Sequence, residues 1–267
     1  VIAVSSVGIE WASNIVGKYA SKKIPILILT KGLSLHNNKY EVLAHKMRRL
    51  LKNNGLKDFN ISVVGGPCLA KGLANRVHTS VVVANSDIKT ARWLQKLLST
   101  EYYHITTSDD VIGVGVCSAI KNIFSMVLGA SKGLCNINAS AQIKETNYLN
   151  TAATLLQQSI YEMTIFTQSQ KGKKETVMGL AGIGDLYVSD KGGRNSAMGK
   201  YIGQGMTFQE AKKTKMPNDT VEGADLALEI GSKIKKDFSI KTLPLMTSMI
   251  NTICYKTPLN IEWRYFK

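Results

Sequence analysis

Between residues 1 and 106, short continuous apolar runs alternate with helical periods, and no other feature of this 267-residue chain restricts its fold as tightly. Residues 1–7, 24–29, 60–64, 79–84 and 102–106 read as strands. Between them, amphipathic periods predict helices over 8–19, over 39–54 with Gly55 as the stop, and over 88–98 with Asp87 as N-cap. A strand that is apolar throughout must be covered on both faces, as strands of a parallel sheet are. The alternation therefore predicts a doubly wound α/β domain. Ligands of such sheets bind beyond the carboxyl ends of the strands. Lys31, in Thr30-Lys31-Gly32, and the turn Gly65-Gly66-Pro67-Cys68 both lie at such ends.

After Ser108-Asp109-Asp110 the pattern changes to helical periods over 111–129, 138–169, 196–203, 207–214, 224–236 and 243–255. Thr207 with Glu210 fits a capping box. The expected organisation is thus an α/β domain over 1–110 and an all-α domain over 111–267. Gly172-Lys173-Lys174 reads as a solvated connection. Inside the apolar helix at 111–129, Lys121-Asn122 is the one strongly polar pair. Such a lysine either snorkels to solvent or is held against a ligand.

A second glycine-rich region stands out: Gly179-Leu180-Ala181-Gly182-Ile183-Gly184-Asp185, followed by Gly192-Gly193-Arg194-Asn195. The first turn presents one carboxylate. The second presents a guanidinium and a carboxamide at the start of a helix, where backbone N–H groups favour anions and arginine can grip a phosphate through two parallel hydrogen bonds. Two solvated surface turns are the alternative.

An apolar content of 44% with 20% charged residues suits a soluble globular protein, and no apolar run has the length of a bilayer span. Four scattered cysteines and four histidines, none at metal-ligand spacing, predict free thiols in a reducing compartment and no metal site. A net charge of +15 favours anionic partners: nucleic acid, an acidic membrane surface or a phosphorylated small molecule. The lysines are spread rather than striped, with no interleaved aromatics, so nucleic acid is not the expected partner.

In order, Thr30-Lys31-Gly32, Gly65-Gly66-Pro67, Ala119-Ile120-Lys121-Asn122, Gly182-Ile183-Gly184-Asp185, Gly192-Gly193-Arg194-Asn195 and Val221-Glu222-Gly223 resemble the motifs of the NAD(P)-dependent glycerol-3-phosphate dehydrogenases, over essentially the whole chain and closest to the archaeal type in its second half. The resemblance implies a Rossmann domain followed by a helical substrate domain, NAD or NADP as cofactor, and a cytoplasmic homodimer interconverting sn-glycerol 3-phosphate and dihydroxyacetone phosphate. Position by position, it makes Lys121 the catalytic proton acceptor and donor, with Asp185, Lys31 and Asn122 beside it. Substrate contacts fall on Lys31, Gly66, Cys68, Lys121, Asp185, Gly193, Arg194 and Asn195, with Arg194 and Asn195 as the phosphate clamp. Cofactor contacts fall on Ala70, Arg194 and Glu222. The apolar setting of Lys121, with Lys31 and Arg194 nearby, is expected to bring its proton affinity toward neutrality.

The chain departs from that pattern in places. Cys68 stands where Ser or Thr is usual, Gly115 for a common Glu, Ser118 for a common Gly and Thr220 for a common Val. The Gly-x-Gly-x-x-Gly turn that holds the dinucleotide pyrophosphate is missing, and Val1 aligns with a later strand, so the first βαβ part is expected to be absent. This leaves a second expectation open, a non-catalytic sugar-phosphate-binding or interaction protein derived from the family.

Overall fold

The computed structural model describes residues 1–21, 24–56, 59–135 and 148–267. They form two compact units: residues 1–119 with 166–185, and residues 120–165 with 186–267. The sequence pattern placed one boundary near residue 110. The division instead falls inside a continuous helix and is crossed more than once, which a change of periodicity along the chain does not reveal.

In the first unit the elements are α1 (Ile9–Tyr19), β1 (Ile26–Ile28), β2 (Leu33–His36), β3 (Lys39–Val42), α2 (Leu43–Asn53), β4 (Ile61–Gly65), α3 (Ala70–Ala74), β5 (Thr79–Ala84), α4 (Ile88–Leu98) and β6 (Tyr103–Ser108). One sheet has the order β1-β4-β5-β6. The expected parallel direction holds for β1–β4 and β5–β6, whereas β4 and β5 run antiparallel, with Val64 opposite Val83. The link over 66–78 contains only the five-residue α3, short of a helix that could cover a crossover, so the chain returns down the neighbouring strand. Leu27, Val81, Val83, Ala91, Leu94 and Ile105 form a buried core between this sheet and α4. Asp87 caps α4 as expected, accepting a hydrogen bond from the Lys89 amide at 3.1 Å.

Two expectations in this unit are corrected. Residues 1–7 contribute a single parallel bridge, Ile2 to Ile28, before a 3₁₀ turn at Ser6–Gly8, not a full strand. The helix expected over 39–54 begins only at Leu43, because residues 33–42 form the β2–β3 hairpin. Its turn is Asn37-Asn38, at φ 47° and 57°. Asparagine tolerates this left-handed region, which a two-residue hairpin turn of this hand requires at both positions. Arg49 of α2 then clamps Glu41 of β3 through two hydrogen bonds of 2.9 and 2.8 Å.

The remaining elements are α5 (Val111–Leu134), α6 (Leu149–Ser169), α7 (Lys174–Val177), a π-helical turn (Leu180–Gly184), α8 (Asp185–Gly192), α9 (Arg194–Gly203), α10 (Phe208–Thr214), α11 (Glu222–Asp237) and α12 (Pro244–Tyr255). Of the helix expected over 138–169, residues 138–147 lie outside the described residues. Thr207 caps α10, its Oγ1 accepting from the Glu210 amide at 3.2 Å. Contrary to the length estimate from sequence, α5 has the length and apolar composition to cross a membrane, but 89% of its apolar window is buried inside the protein. Nor is the segment at 172–174 a simple solvated link. Gly172 is buried, and buried Asp110 accepts from the Lys173 amide at 2.8 Å and the Thr176 hydroxyl at 2.6 Å.

Within the second unit α5 and α9 touch backbone to backbone. A Cβ on Gly129 would lie 2.0 Å from the Ser196 carbonyl oxygen, and one on Gly199 would lie 1.9 Å from that of Met126. Gly133 and Gly203, one turn further along each helix, are closed in the same way at 2.3 Å. Spaced four apart, these glycines form a flat stripe on each helix, so the N-terminal turn of α9 is seated against α5.

Glu162 of α6 is fully buried and caps α12 from outside it, accepting from the Leu245 and Met246 amides at 2.8 and 2.9 Å and from Gln158 Nε2 at 3.1 Å. Burial raises its pKa from 4.5 to about 7, outweighing the hydrogen bonds, which lower it. A folded-state pKa above the unfolded value means stability that is complete below the unfolded pKa and is lost as pH rises through the folded one. The unfolding free energy of the wild type minus that of Glu162→Gln is therefore expected to fall by about 3 kcal/mol as pH rises across this window. Urea unfolding of both proteins at several pH values measures it, and a difference independent of pH would contradict the assignment.

Candidate active site

In the first unit, Lys31 follows β1 and Gly66 follows β4, so both lie at carboxyl ends of strands. Gly66 has φ +129°, and a Cβ there would come within 3.1 Å of the Val81 Cα, so the position suits glycine alone. The stretch at 179–185 reads from sequence as a glycine-rich turn with the option of surface exposure. It is instead helical, with Ala181, Gly182 and Asp185 buried and the rest partly covered. Gly184 N donates to the Gly179 carbonyl at 3.2 Å across one π-helical turn, and a Cβ on Gly182 would lie 2.0 Å from the Val177 carbonyl oxygen. An inserted residue of this kind re-aims the helix beyond it, and such turns recur at functional sites.

Asp185 is the first residue beyond this turn and is 2% exposed. Its Oδ2 accepts from Lys31 Nζ at 2.6 Å, and the lysine side chain keeps 30% of its surface in solvent. The pair thus offers one open side. The Cys68 thiol lies in the field of both groups, and burial holds it above its ordinary pKa, against Lys31, so it remains a neutral weak donor. Ala70 opens α3 and is exposed.

In the second unit, Lys121 and Asn122 project from α5 and are 5% and 8% exposed. Lys121 does not snorkel to solvent. Its Nζ donates to the Ser189 hydroxyl on α8. Sequence reasoning missed Ser189. The available signal was its position four residues after Asp185, on the same helical face. Gly193 is the extended N-cap of α9, where a Cβ would lie 2.3 Å from the Ser189 carbonyl oxygen, so Arg194 and Asn195 do occupy a helix start.

Asn195 joins three elements there. Its Nδ2 donates to Asn122 Oδ1 at 3.2 Å and to Glu222 Oε2 at 3.3 Å, and its Oδ1 accepts from the Gly223 amide at 2.8 Å. The Arg194 guanidinium pairs with the other oxygen of Glu222, the first residue of α11. Asn122, Arg194, Asn195 and Glu222 therefore form one polar cluster on three helices. The environment expected for Lys121, with Lys31 and Arg194 around it, draws on both units; within its own unit Lys121 lies among buried apolar residues of α5 with Ser189 as a partner.

Chemically, the first unit offers a lysine–carboxylate pair, and the second, by itself, a buried amine on a hydroxyl and an arginine–amide clamp. The first can orient an oxygen, and the second can move a proton and hold an anion. Arg194 and Glu222, with 49% and 42% of their side chains exposed, can also reach a phosphate or ribose hydroxyl. Among the described residues no group of three or more His, Cys, Asp or Glu side chains is placed to hold a metal ion, and the four cysteines are free.

Residues 110–261 match the family model described as the NAD-dependent glycerol-3-phosphate dehydrogenase C-terminus, and residues 1–91 match the corresponding N-terminus. The chain is 28% identical over 217 residues to the NADP(+)-dependent glycerol-3-phosphate dehydrogenase of Archaeoglobus fulgidus, covering 79% of this chain and 62% of that protein. It is 32% identical over 213 residues to the glycerol-3-phosphate dehydrogenase [NAD(P)+] of Francisella tularensis, covering 79% and 58% respectively. The chain thus spans about three fifths of the length of these curated relatives. Among solved structures, the glycerol-3-phosphate dehydrogenase of Coxiella burnetii aligns with 96% of this chain and 72% of its own at a TM-score of 0.77 and 24% identity. That of Plasmodium falciparum aligns with 98% and 71% at 0.80 and 17%. Both likenesses bear out the fold expected from sequence, a Rossmann-like domain followed by a helical one.

Proposed function

Because the chain belongs to the NAD-dependent glycerol-3-phosphate dehydrogenase family, we propose that it acts on sn-glycerol 3-phosphate and dihydroxyacetone phosphate as an oxidoreductase using NAD or NADP, as a cytoplasmic homodimer. The observation that supports this best is the buried amine of Lys121 on the same helix as Asn122, which is bonded to the Arg194–Asn195 pair through Asn195. In this reading Arg194 and Asn195 hold the phosphate, at a helix start that favours anions. Lys121 takes the proton of the reacting hydroxyl in the oxidation and returns it in the reduction. Its bond to Ser189 fixes the amine and offers the proton a second oxygen. Lys31 and Asp185 orient the substrate oxygens, with Gly66 allowing close backbone approach and Cys68 a neutral contact. Bound nicotinamide supplies the hydride chemistry. On the cofactor side Arg194, Glu222 and Ala70 are available, whereas the 267 residues contain no Gly-x-Gly-x-x-Gly turn for a pyrophosphate.

Arg194→Met is expected to weaken glycerol 3-phosphate binding by about 100-fold, because a charge-assisted two-point contact to phosphate is lost. Binding of unphosphorylated glycerol should not change. Isothermal titration tests both, and a loss smaller than threefold would remove the clamp from this reading. A second reading, sugar-phosphate binding without turnover, draws on the Arg194–Asn195 pair at the start of α9 alone. It predicts a heat of binding for glycerol 3-phosphate and none for NADH or NADPH.

A further inference from the structure

The clamp is already occupied by an anion of the protein's own. One carboxylate oxygen of Glu222 meets the Arg194 guanidinium, and the other accepts from Asn195 Nδ2 at 3.3 Å. These are the two donors that the proposed function, on which this inference rests, gives to the substrate phosphate. We propose that Glu222 is an internal competitor of that phosphate, a carboxylate latch that must leave Arg194 before a phosphorylated substrate is held.

Three observations support the exchange. The latch is weakly held: nearly half of both side chains is exposed, and ion pairs in that setting are worth little. The platform beneath it has anchors other than Glu222, since Asn195 also bonds Asn122 and the Gly223 amide at 3.2 and 2.8 Å. Glu222 also stands in the first turn of α11 with Asp225, whose carboxyl is held above its ordinary pKa by burial first and by the nearby Glu222 second. A resident anion beside another carboxylate is more readily displaced than an isolated one. The latch keeps Arg194 from collecting small anions and leaves the clamp to a ligand that gains further contacts elsewhere.

The test is titration of wild type, Glu222→Gln, Arg194→Met and the double variant with inorganic phosphate and with glycerol 3-phosphate, at fixed low ionic strength and without nucleotide. Glu222→Gln keeps the side-chain length and removes the competing charge. It is expected to tighten both ligands about three- to tenfold relative to wild type, and to have no such effect once Arg194 is methionine. Unchanged or weaker binding in Glu222→Gln, with a large loss in Arg194→Met, would overturn the latch and leave the clamp standing. Equal binding by wild type and Arg194→Met would overturn the clamp itself, and the latch with it.

Discussion

Replacing Lys121 by methionine is expected to lower turnover of glycerol 3-phosphate by about 10²–10⁴-fold with the fold intact. The size follows from the role proposed for the amine: without a positioned base, the hydroxyl proton must leave to water while the carbon is being oxidised. Methionine keeps the unbranched shape and suits the apolar neighbours of a side chain that is 5% exposed, so thermal stability should hold or rise. Binding of glycerol 3-phosphate should change far less than turnover, because the proposed phosphate contacts belong to Arg194 and Asn195. Steady-state rates with NAD and with NADP, alongside circular dichroism melts and titration of the substrate, separate these effects. Turnover within a fewfold of wild type would remove Lys121 from the acid–base role. Ser189→Ala offers a graded companion. It leaves the amine and removes the hydroxyl that holds it, so its loss of turnover should be smaller than that of Lys121→Met.

The second large effect is structural. Gly199→Val should destabilise the protein by about 3 kcal/mol or more, because the new Cβ alone would lie 1.9 Å from the Met126 carbonyl oxygen and two packed backbones must separate to admit it. The change acts on function as well. Gly199 sits on the helix that begins with Arg194 and Asn195, and lifting α9 from α5 strains the Asn195–Asn122 hydrogen bond. Gly72→Ala is the control. Nothing lies within 4 Å of a Cβ there, so it should be neutral or slightly stabilising, as alanine is in a helix. Denaturant unfolding of both variants reads the contrast directly. Equal stability of Gly199→Val and Gly72→Ala would mean that the α5–α9 contact is not close-packed in solution.

The mixed sheet and its hairpin illustrate where local reading stops. β5, α4 and its Asp87 cap followed from the apolar run Val81–Ala84 and a helical period, both set by neighbours in sequence. The direction of β5 against β4 did not, because strand pairing depends on how a connection folds back and not on the strand's own residues. The Asn37-Asn38 turn was present in the sequence and went unused, since Tyr40 and Val42 also fit the start of the helical period that continues into α2.

At the site, residue types and spacing alone singled out Lys121, Asp185, Arg194 and Asn195, because a lysine in an apolar helix and glycines before charged groups are uncommon enough to stand out. The sequence also determined the change from α/β to all-α, which follows from periodicity. Only the tertiary structure decided that Leu180–Gly184 is a π-helical turn and that Lys121 rests on Ser189. It likewise decided that Glu222 sits on Arg194 and Asn195, and that the compact units divide after residues 119, 165 and 185. The physical reason is that the Lys121–Ser189 and Glu222–Arg194 contacts join side chains far apart in sequence, and neither partner carries a local mark of the other.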